Sequence, residues 1–293
     1  MYRDLVLLLS TRWMFQSTIF HFHAGGLSQL YPGLPGWLKW AFRRAYYGAD
    51  VGVRTSALAP DDPVLLHARR DVIAPYGVPD AATEQRQPVA ADEASTDGAH
   101  CPPRAPKILF VGVLRESKGV LVMLEACAEL RRRGHRFLAD LVGEFSTRDF
   151  EQRTRRLVAT SGLDQVVRFL GALTPDQKYQ AFADSDIFCF PTFFESETFG
   201  VVLIEAMQFG LPIVATNWRG IPAVVTDGVE GYLVPVHDVA ALVDRLDFLL
   251  SQPEQAASMG ARGRLTYETE FTLGRYHQRI QALFDSFLVP APA

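Results

Sequence analysis

Apolar residues along this chain fall into two textures. From Lys107 onward, short and nearly unbroken apolar runs alternate with stretches whose apolar positions recur at helical spacing. The runs Lys107–Gly112, Phe137–Gly143, Val166–Gly171, Asp186–Pro191 and Leu211–Thr216 predict buried strands, with Val224-Val225 and Tyr232–Val234 as short further strands. Val120–Arg133, Asp149–Ser161, Pro175–Ala183 and Val201–Met207 predict the intervening helices. The chain closes helically through Val239–Leu250, Glu254–Ala261 and Leu273–Leu288. Strands without polar alternation are covered on both faces, which implies an α/β domain with a parallel sheet. Ligands of such sheets bind at the carboxyl ends of the strands. Gly112, Gly143, Gly171 and Pro191 stand at those ends.

The first third is sparser. Asp4–Phe15 has helix-compatible spacing, Thr18–His23 reads as a buried strand, and Leu34–Tyr47 reads as a helix introduced by Pro32 and Pro35. Asp50–Ser56 and Val72–Pro75 predict two more strands, the last followed by the turn Tyr76-Gly77-Val78-Pro79. About 80 residues with three short strands are few for a doubly wound unit, so the chain reads as starting partway through a domain. Asp80–Pro106 is rich in Ala, Pro, Glu, Asp, Gln and Thr and reads as a disordered linker or surface loop. The expected organisation is a partial N-terminal domain over 1–80, a linker over 81–106, a second domain over 107–270, and a final helical segment over 271–293.

Composition narrows the class. Hydrophobic residues make up 48% of the 293, ample for a core. A net charge of −4 and a pI near 6.0 give no reason to expect nucleic acid as the main partner. Cys101, Cys127 and Cys189 are widely spaced with no Cys-x-x-Cys pair, which argues for a reducing compartment and against a zinc site. The short apolar stretch near the N-terminus is followed by Thr11-Arg12-Trp13, not by a small-residue cleavage site. No apolar run reaches membrane-spanning length. These features predict a cytoplasmic protein.

The densest chemistry lies in Pro191–Gly210, PTFFESETFGVVLIEAMQFG. Glu197 and Glu205 stand with seven residues between them, and Phe199-Gly200 lead into an apolar helix that Gly210 and Pro212 stop. A loop feeding a helix N-terminus favours an anion. Gly200 removes a Cβ where a phosphate would approach. Glu205 is a carboxylate in an apolar run and needs a partner, unless it simply edges the buried stripe. Lys118, in GVLRESKG at a strand-to-helix turn, can neutralise a diphosphate as a point charge, or be an ordinary solvated lysine.

Taken together, Glu197, Phe199-Gly200, Glu205, the Gly-Leu-Pro stop and the lysine turn resemble the donor site of family 4 glycosyltransferases, which are retaining enzymes of the GT-B fold. The resemblance runs from about Lys107 to Leu288, and more faintly from Thr18 to Pro79. Asp227-Gly228, Glu230-Gly231 and Leu233–Pro235 resemble the family's closing segment, and Asn217–Gly220 its glycine-rich turn near the sugar. The resemblance implies two Rossmann-like domains facing a cleft, with the N-terminal one incomplete here. It implies a nucleotide-diphosphate sugar on the C-terminal domain, a glycan, lipid-linked or small-molecule acceptor on the other, and no metal or other cofactor. By it Glu205 would bond the ribose hydroxyls and Glu197 would contact the transferred sugar. Lys118 and the backbone of Phe199, Gly200 and Val201 would hold the diphosphate, and Gly143 and Leu170 would lie near the nucleotide. Family members commonly carry an arginine five positions before the lysine; here that position is Val113, with Arg115 nearby.

His21 and His23 flank Phe22 on a predicted strand and so share a face. Two histidines can bind a metal, but no third ligand stands out, and a satisfied structural histidine is the commoner outcome. In the family a histidine after an N-domain strand faces the donor sugar, and His23 is the better match, with His21 the alternative. Trp37, Lys39, Trp40, Phe42, Arg43 and Arg44 form an aromatic and basic helix. Such a helix suits peripheral contact with an anionic membrane surface, for which the inner membrane face is the candidate. The competing arrangement packs it inside the N-terminal half with its arginines solvated. Two further readings use the same residues: a noncatalytic nucleotide-sugar-binding fragment, and a GT-B nucleotide-sugar epimerase.

Overall fold

The computed structural model describes residues 2–23, 26–85 and 104–288. Helix α1 (Tyr2–Thr11) leads to strand β1 (Ile19–Phe22), helix α2 (Gly36–Tyr46), β2 (Val51–Arg54), the one-turn α3 (Asp62–Leu65) and β3 (Arg70–Ile73). These strands form a three-stranded parallel sheet in the order β1-β2-β3. Helix α2 buries Leu38, Ala41, Phe42 and Ala45, an i, i+3, i+4, i+7 stripe, against Leu5 of α1 and Leu66.

The second part contains β4 (Lys107–Val111), α5 (Val120–Arg132), β5 (Leu138–Val142), α6 (Arg148–Thr160), β6 (Val167–Gly171), α7 (Pro175–Ala183) and β7 (Ile187–Phe190). It continues through α8 (Val201–Gln208), β8 (Ile213–Thr216), β9 (Gly231–Val234), α9 (Val239–Ser251) and α10 (Pro253–Thr266). Its sheet is six-stranded and wholly parallel, in the order β6-β5-β4-β7-β8-β9. The runs read as strands are most deeply buried at the centre of the sheet, β7 and β8 along their whole length, while the edge strand β6 alternates buried, half-buried and exposed positions. Local chemistry starts the helices where the spacing predicts. The Thr147 hydroxyl accepts from Phe150 N at the head of α6, and Thr174 and Gln177 close a reciprocal capping box on α7.

A π-helical turn (Tyr267–Phe271) carries α10 into the last helix, α11 (Leu273–Leu288). Ile280, Leu283 and Phe287 of α11 pack on Val51, Val53, Val72 and Ala74 of the small sheet. The segment leaving β3 is bound to the same region: Val78 N donates to Phe271 O at 3.0 Å, and Leu273 N donates to Val78 O at 3.1 Å. Arg264 Nη1 meets Asp80 at 2.9 Å and Gln208 O at 2.7 Å.

Three expectations need correction. Val224-Val225 is not a strand. The 3-10 turn Ile221–Ala223 precedes it, and both valines are buried in a loop, so core burial by side chains looks the same in sequence as a short strand. The linker over 81–106 does not start at 81: Ala81–Gln85 form helix α4, with Ala81 N donating to Gln208 Oε1 at 2.8 Å. Residues 86–103 of that linker lie outside the described residues, as does Cys101. Helix α10 also runs further than Glu254–Ala261, because Met259, Gly260 and Gly263 keep burying a stripe through its second half. Among the described residues no helix is long and apolar enough to cross a membrane.

Candidate functional site

Strand β4 sits inside its sheet. The chain steps from it to β5 and β6 on one side, then returns to β7 on the other. The carboxyl ends of β4 and β7 therefore form a topological switch point, where the loops diverge and leave a crevice. Two loops line it. After β4 comes the 3-10 turn Glu116–Lys118; after β7 comes the stretch from Pro191 to Gly200. They are pressed together at Gly119, where a Cβ would stand 2.0 Å from Pro191 O and φ is +77°. Phe193 N donates to Ser117 O at 2.8 Å, and Trp218 Nε1 donates to Phe194 O at 2.9 Å.

The crevice opens into a cleft of about 440 Å³, lined among others by His23, Tyr76, Gly112, Lys118, Glu197 and Glu205. Lys118 Nζ donates to Glu197 Oε2 at 2.6 Å, and its ammonium faces the Phe194 ring at 4.8 Å and the Phe190 ring at 5.3 Å. A carboxylate and two ring faces together fix the position of the ammonium.

Gly200 caps α8 with φ +76° and ψ +63°. A Cβ there would meet Leu203 Cδ1 at 2.9 Å and Ile221 Cδ1 at 3.0 Å. Left-handed backbone and packing underneath the loop thus both demand the glycine. In the first turn of α8, Leu203 N donates to Gly200 O at 2.8 Å, while Val201 and Val202 ahead of it line the cleft wall, where a helix start offers N–H groups to a ligand. Phe199 itself is buried, edge-on to Tyr76 at 5.5 Å and to Phe271 at 5.9 Å, so only its backbone is available to a ligand.

Glu205 has the partner its apolar setting requires: Lys178 Nζ, from α7, donates to Glu205 Oε1 at 2.7 Å. Helical spacing does not reveal Lys178 as that partner, since it cannot say that α7 lies against α8.

Across the cleft, His23 stands at the end of β1. Its Nδ1 lies 2.5 Å from the Tyr76 hydroxyl, and Thr198 Oγ1 donates to His23 O at 3.0 Å. The following loop is held by Asp62, a fully buried carboxylate that accepts from Gly26 N at 2.8 Å and Ser28 N at 2.7 Å. His21 lies beneath, its ring 4.2 Å from that of His23, with Nε2 buried and unpartnered. Burial, with His23 adding, lowers the His21 pKa to about 4, so it is neutral near pH 7.

The structure therefore brings His23, Lys118, Glu197, Phe199, Gly200, Val201 and Glu205 to one cleft. Gly143 and Leu170 do not line it. Gly143 backs onto the Gly112 carbonyl, and Leu170 lies on the edge strand β6. Glycine at the end of a strand, as at Gly143 and at Gly171 beside Leu170, recurs at the crossovers of this sheet and does not by itself mark the cleft. Val113 is 51% exposed and offers no charge; Arg115 places a second cation 4.9 Å from the Phe194 ring that Lys118 faces. Among the described residues no group of three or more His, Cys, Asp or Glu side chains could hold a metal ion. Asn217–Gly220 supports from behind, Gly220 pressing on Thr198 O, and buried Glu230 is structural, accepting from Thr226 N and Thr266 Oγ1. Trp37 and Trp40 are exposed at 72% and 69%, so α2 packs by one face and leaves its tryptophans outside.

Residues 98–266 match the family described as Glycosyl transferases group 1. The chain is 34% identical over 173 residues to a D-inositol 3-phosphate glycosyltransferase of Corynebacterium efficiens, covering 58% of this chain and 40% of that protein. It is 29% identical over 213 residues to the putative colanic acid biosynthesis glycosyltransferase WcaL of Escherichia coli, covering 69% of this chain and 52% of that protein. The chain thus spans about half or less of the length of these two relatives. A glycosyltransferase structure from Rickettsia africae superposes with a TM-score of 0.77 at 20% identity, covering 97% of this chain and 74% of that one. Anabaena HepE in complex with UDP and glucose superposes with a TM-score of 0.74 at 19% identity, covering 98% and 76%.

Proposed function

This chain belongs to the glycosyl transferases group 1 family, and we propose that it serves as a retaining glycosyltransferase that moves a sugar from a nucleotide-diphosphate sugar to a glycan, lipid-linked or small-molecule acceptor. The observation that carries the reading is the convergence of Lys118, Glu197, Glu205 and the start of α8 on one cleft at the switch point, with His23 facing them. The complex of HepE with UDP and glucose supports a nucleotide-sugar ligand for a fold of this kind.

In this reading the diphosphate lies against the first-turn N–H groups of α8, where the helix dipole favours negative charge. Lys118 turns from Glu197 to the diphosphate and balances the charge that grows as the anomeric carbon–oxygen bond breaks. Glu197, released from the ion pair, accepts from hydroxyls of the transferred sugar. Glu205, held by Lys178, accepts from the ribose hydroxyls. The acceptor oxygen bonds to the anomeric carbon on the face the diphosphate leaves, while the departing phosphate oxygen keeps the bonding electrons and takes the proton of the acceptor hydroxyl. No metal is required, because the lysine and the helix terminus supply the positive potential.

The reading includes a cytoplasmic protein in peripheral contact with the inner membrane face, supported by exposed Trp37 and Trp40 beside Arg43 and Arg44. Val113, at the position where the family resemblance expects an arginine, favours a second reading, a nucleotide-sugar-binding protein without turnover. Calorimetric titration with UDP-, GDP- and ADP-sugars tests binding, and failure of all three sinks both readings. Release of nucleotide only in the presence of an acceptor separates transfer from binding, and NMR of the new glycosidic bond reports whether the anomeric configuration is kept.

A further inference from the structure

His23 is tied at two points to the elements that carry the donor loop. Its carbonyl accepts from Thr198, next to Phe199-Gly200, and its ring Nδ1 faces the Tyr76 hydroxyl at 2.5 Å. The two rings lie nearly parallel, 9° between planes with centroids 5.6 Å apart. Tyr76 also packs edge-on to Phe199 at 5.5 Å, so one side chain spans from the histidine to the loop.

The contact itself fits either direction, the phenol donating to Nδ1 or Nδ1–H donating to the phenol oxygen. Burial pushes the Tyr76 phenol up to about 12, so at neutral pH the oxygen carries its proton. His23 Nδ1 is the one side-chain hydrogen-bond partner identified for that hydroxyl among the described residues. A phenol donating to Nδ1 leaves a neutral imidazole with its single proton on Nε2. His21, the titratable ring packed against His23, has its pKa lowered to about 4 and adds no charge near pH 7.

We propose that Tyr76 is a positioning residue that holds His23 in the Nε2–H tautomer, so that His23 meets the donor sugar as a hydrogen-bond donor and not as a base. The sugar half rests on the reading of His23 given above; the tautomer half does not. On a residue that lines the cleft, an Nε2–H recognises an oxygen lone pair, as a sugar hydroxyl or the departing phosphate oxygen presents. It has no lone pair with which to take a proton from an acceptor. Neither Tyr76 nor its partnership with His23 stands out in the sequence, because 53 residues separate them.

The test is nitrogen-15 NMR of the full chain with labelled histidine, above the pH range in which histidine titrates. The His23 signal is assigned by its loss in His23→Gln. The expected spectrum shows the Nε2–H tautomer for His23 in the unliganded wild type, and a shift toward a tautomer mixture in Tyr76→Phe, which keeps the ring contacts and removes the hydroxyl. An Nδ1–H tautomer in the wild type overturns the proposal, as does an unchanged tautomer in Tyr76→Phe. Addition of UDP-glucose, but not UDP, is expected to move the His23 Nε2 signal. Binding of UDP-glucose without that movement overturns the sugar half. Absence of any UDP-glucose or UDP binding counts against the donor-site reading instead, and the tautomer of the unliganded chain still decides the role of Tyr76. In turnover, Tyr76→Phe is expected to lower kcat roughly tenfold, the size of one hydrogen bond, with the affinity for UDP unchanged.

Discussion

Lys118 Nζ and Glu197 Oε2 lie 2.6 Å apart across the switch point, although 79 residues of chain separate them. Both side chains are largely withdrawn from solvent. The pair therefore does two jobs in the unliganded chain. It locks the loop after β4 to the loop after β7, and it keeps a cation and a carboxylate at the mouth of α8 until a ligand competes for each.

Lys118→Met removes the cation and strands Glu197. We expect UDP binding to weaken at least tenfold in calorimetry. The stranded carboxylate should also cost about 1–3 kcal/mol in urea unfolding, because a half-withdrawn charge loses its partner. Lys118→Met with wild-type UDP affinity would remove the lysine from the donor site.

Glu205→Ala removes the acceptor assigned to the ribose. UDP affinity should fall by about tenfold or more, one or two hydrogen bonds to a charged group. Lys178→Met leaves Glu205 in place but unpaired, and should lower thermal stability more than nucleotide affinity. Equal affinity losses in both variants would assign the effect to disrupted packing.

Gly200→Ala forces an L side chain into left-handed backbone against Leu203 and Ile221. We expect a loss of about 1–3 kcal/mol in chemical denaturation, with donor binding weakened because α8 shifts. A variant as stable as the wild type would show that the loop relaxes.

His21 couples stability to pH. Its folded pKa is near 4, below the ordinary value of 6.5, so the unfolded chain binds the extra proton first as pH falls. The stabilisation is complete above about 6.5 and is lost as pH drops toward 4. A tenfold change in proton affinity corresponds to about 1.4 kcal/mol before screening by solvent, and for a half-buried ring we expect about 1–2 kcal/mol in total. Thermal melts at stepped pH should show this slope in the wild type and a flatter one in His21→Phe; parallel slopes would place the proton elsewhere.

Trp37 and Trp40 stand outside the core, while Phe42 of the same helix is fully buried. If α2 meets the membrane, co-sedimentation with vesicles containing anionic phosphatidylglycerol should fall several-fold in Trp37→Ala/Trp40→Ala, with thermal stability within about 0.5 kcal/mol of wild type. Equal binding to neutral phosphatidylcholine vesicles would remove the role of Arg43 and Arg44.

Much of the fold was legible because burial on both faces of a parallel sheet leaves a mark in the chain itself. Strands such as Ile187–Phe190 and Ile213–Thr216 have no exposed face to carry polar residues. The misread segment, Val224-Val225, shows the limit of that mark: two buried valines satisfy a core equally from a loop. Glu205 could be recognised as needing a partner, since an apolar helix cannot leave a carboxylate uncompensated. That Lys178 supplies it depends on how α7 lies against α8.

The sequence by itself determined the alternation of elements and the placing of the glutamate pair around a helix N-terminus. These follow from periodicity, helix chemistry and backbone sterics, which act over a few residues. Only the tertiary structure decided that Lys118 pairs with Glu197, that Tyr76 reaches His23, and that Gly143 and Leu170 stand outside the cleft. Those depend on strand order, which brings β4 beside β7 and sends β6 to the edge, and on the loops from the two sheets that meet at His23, Tyr76 and Thr198.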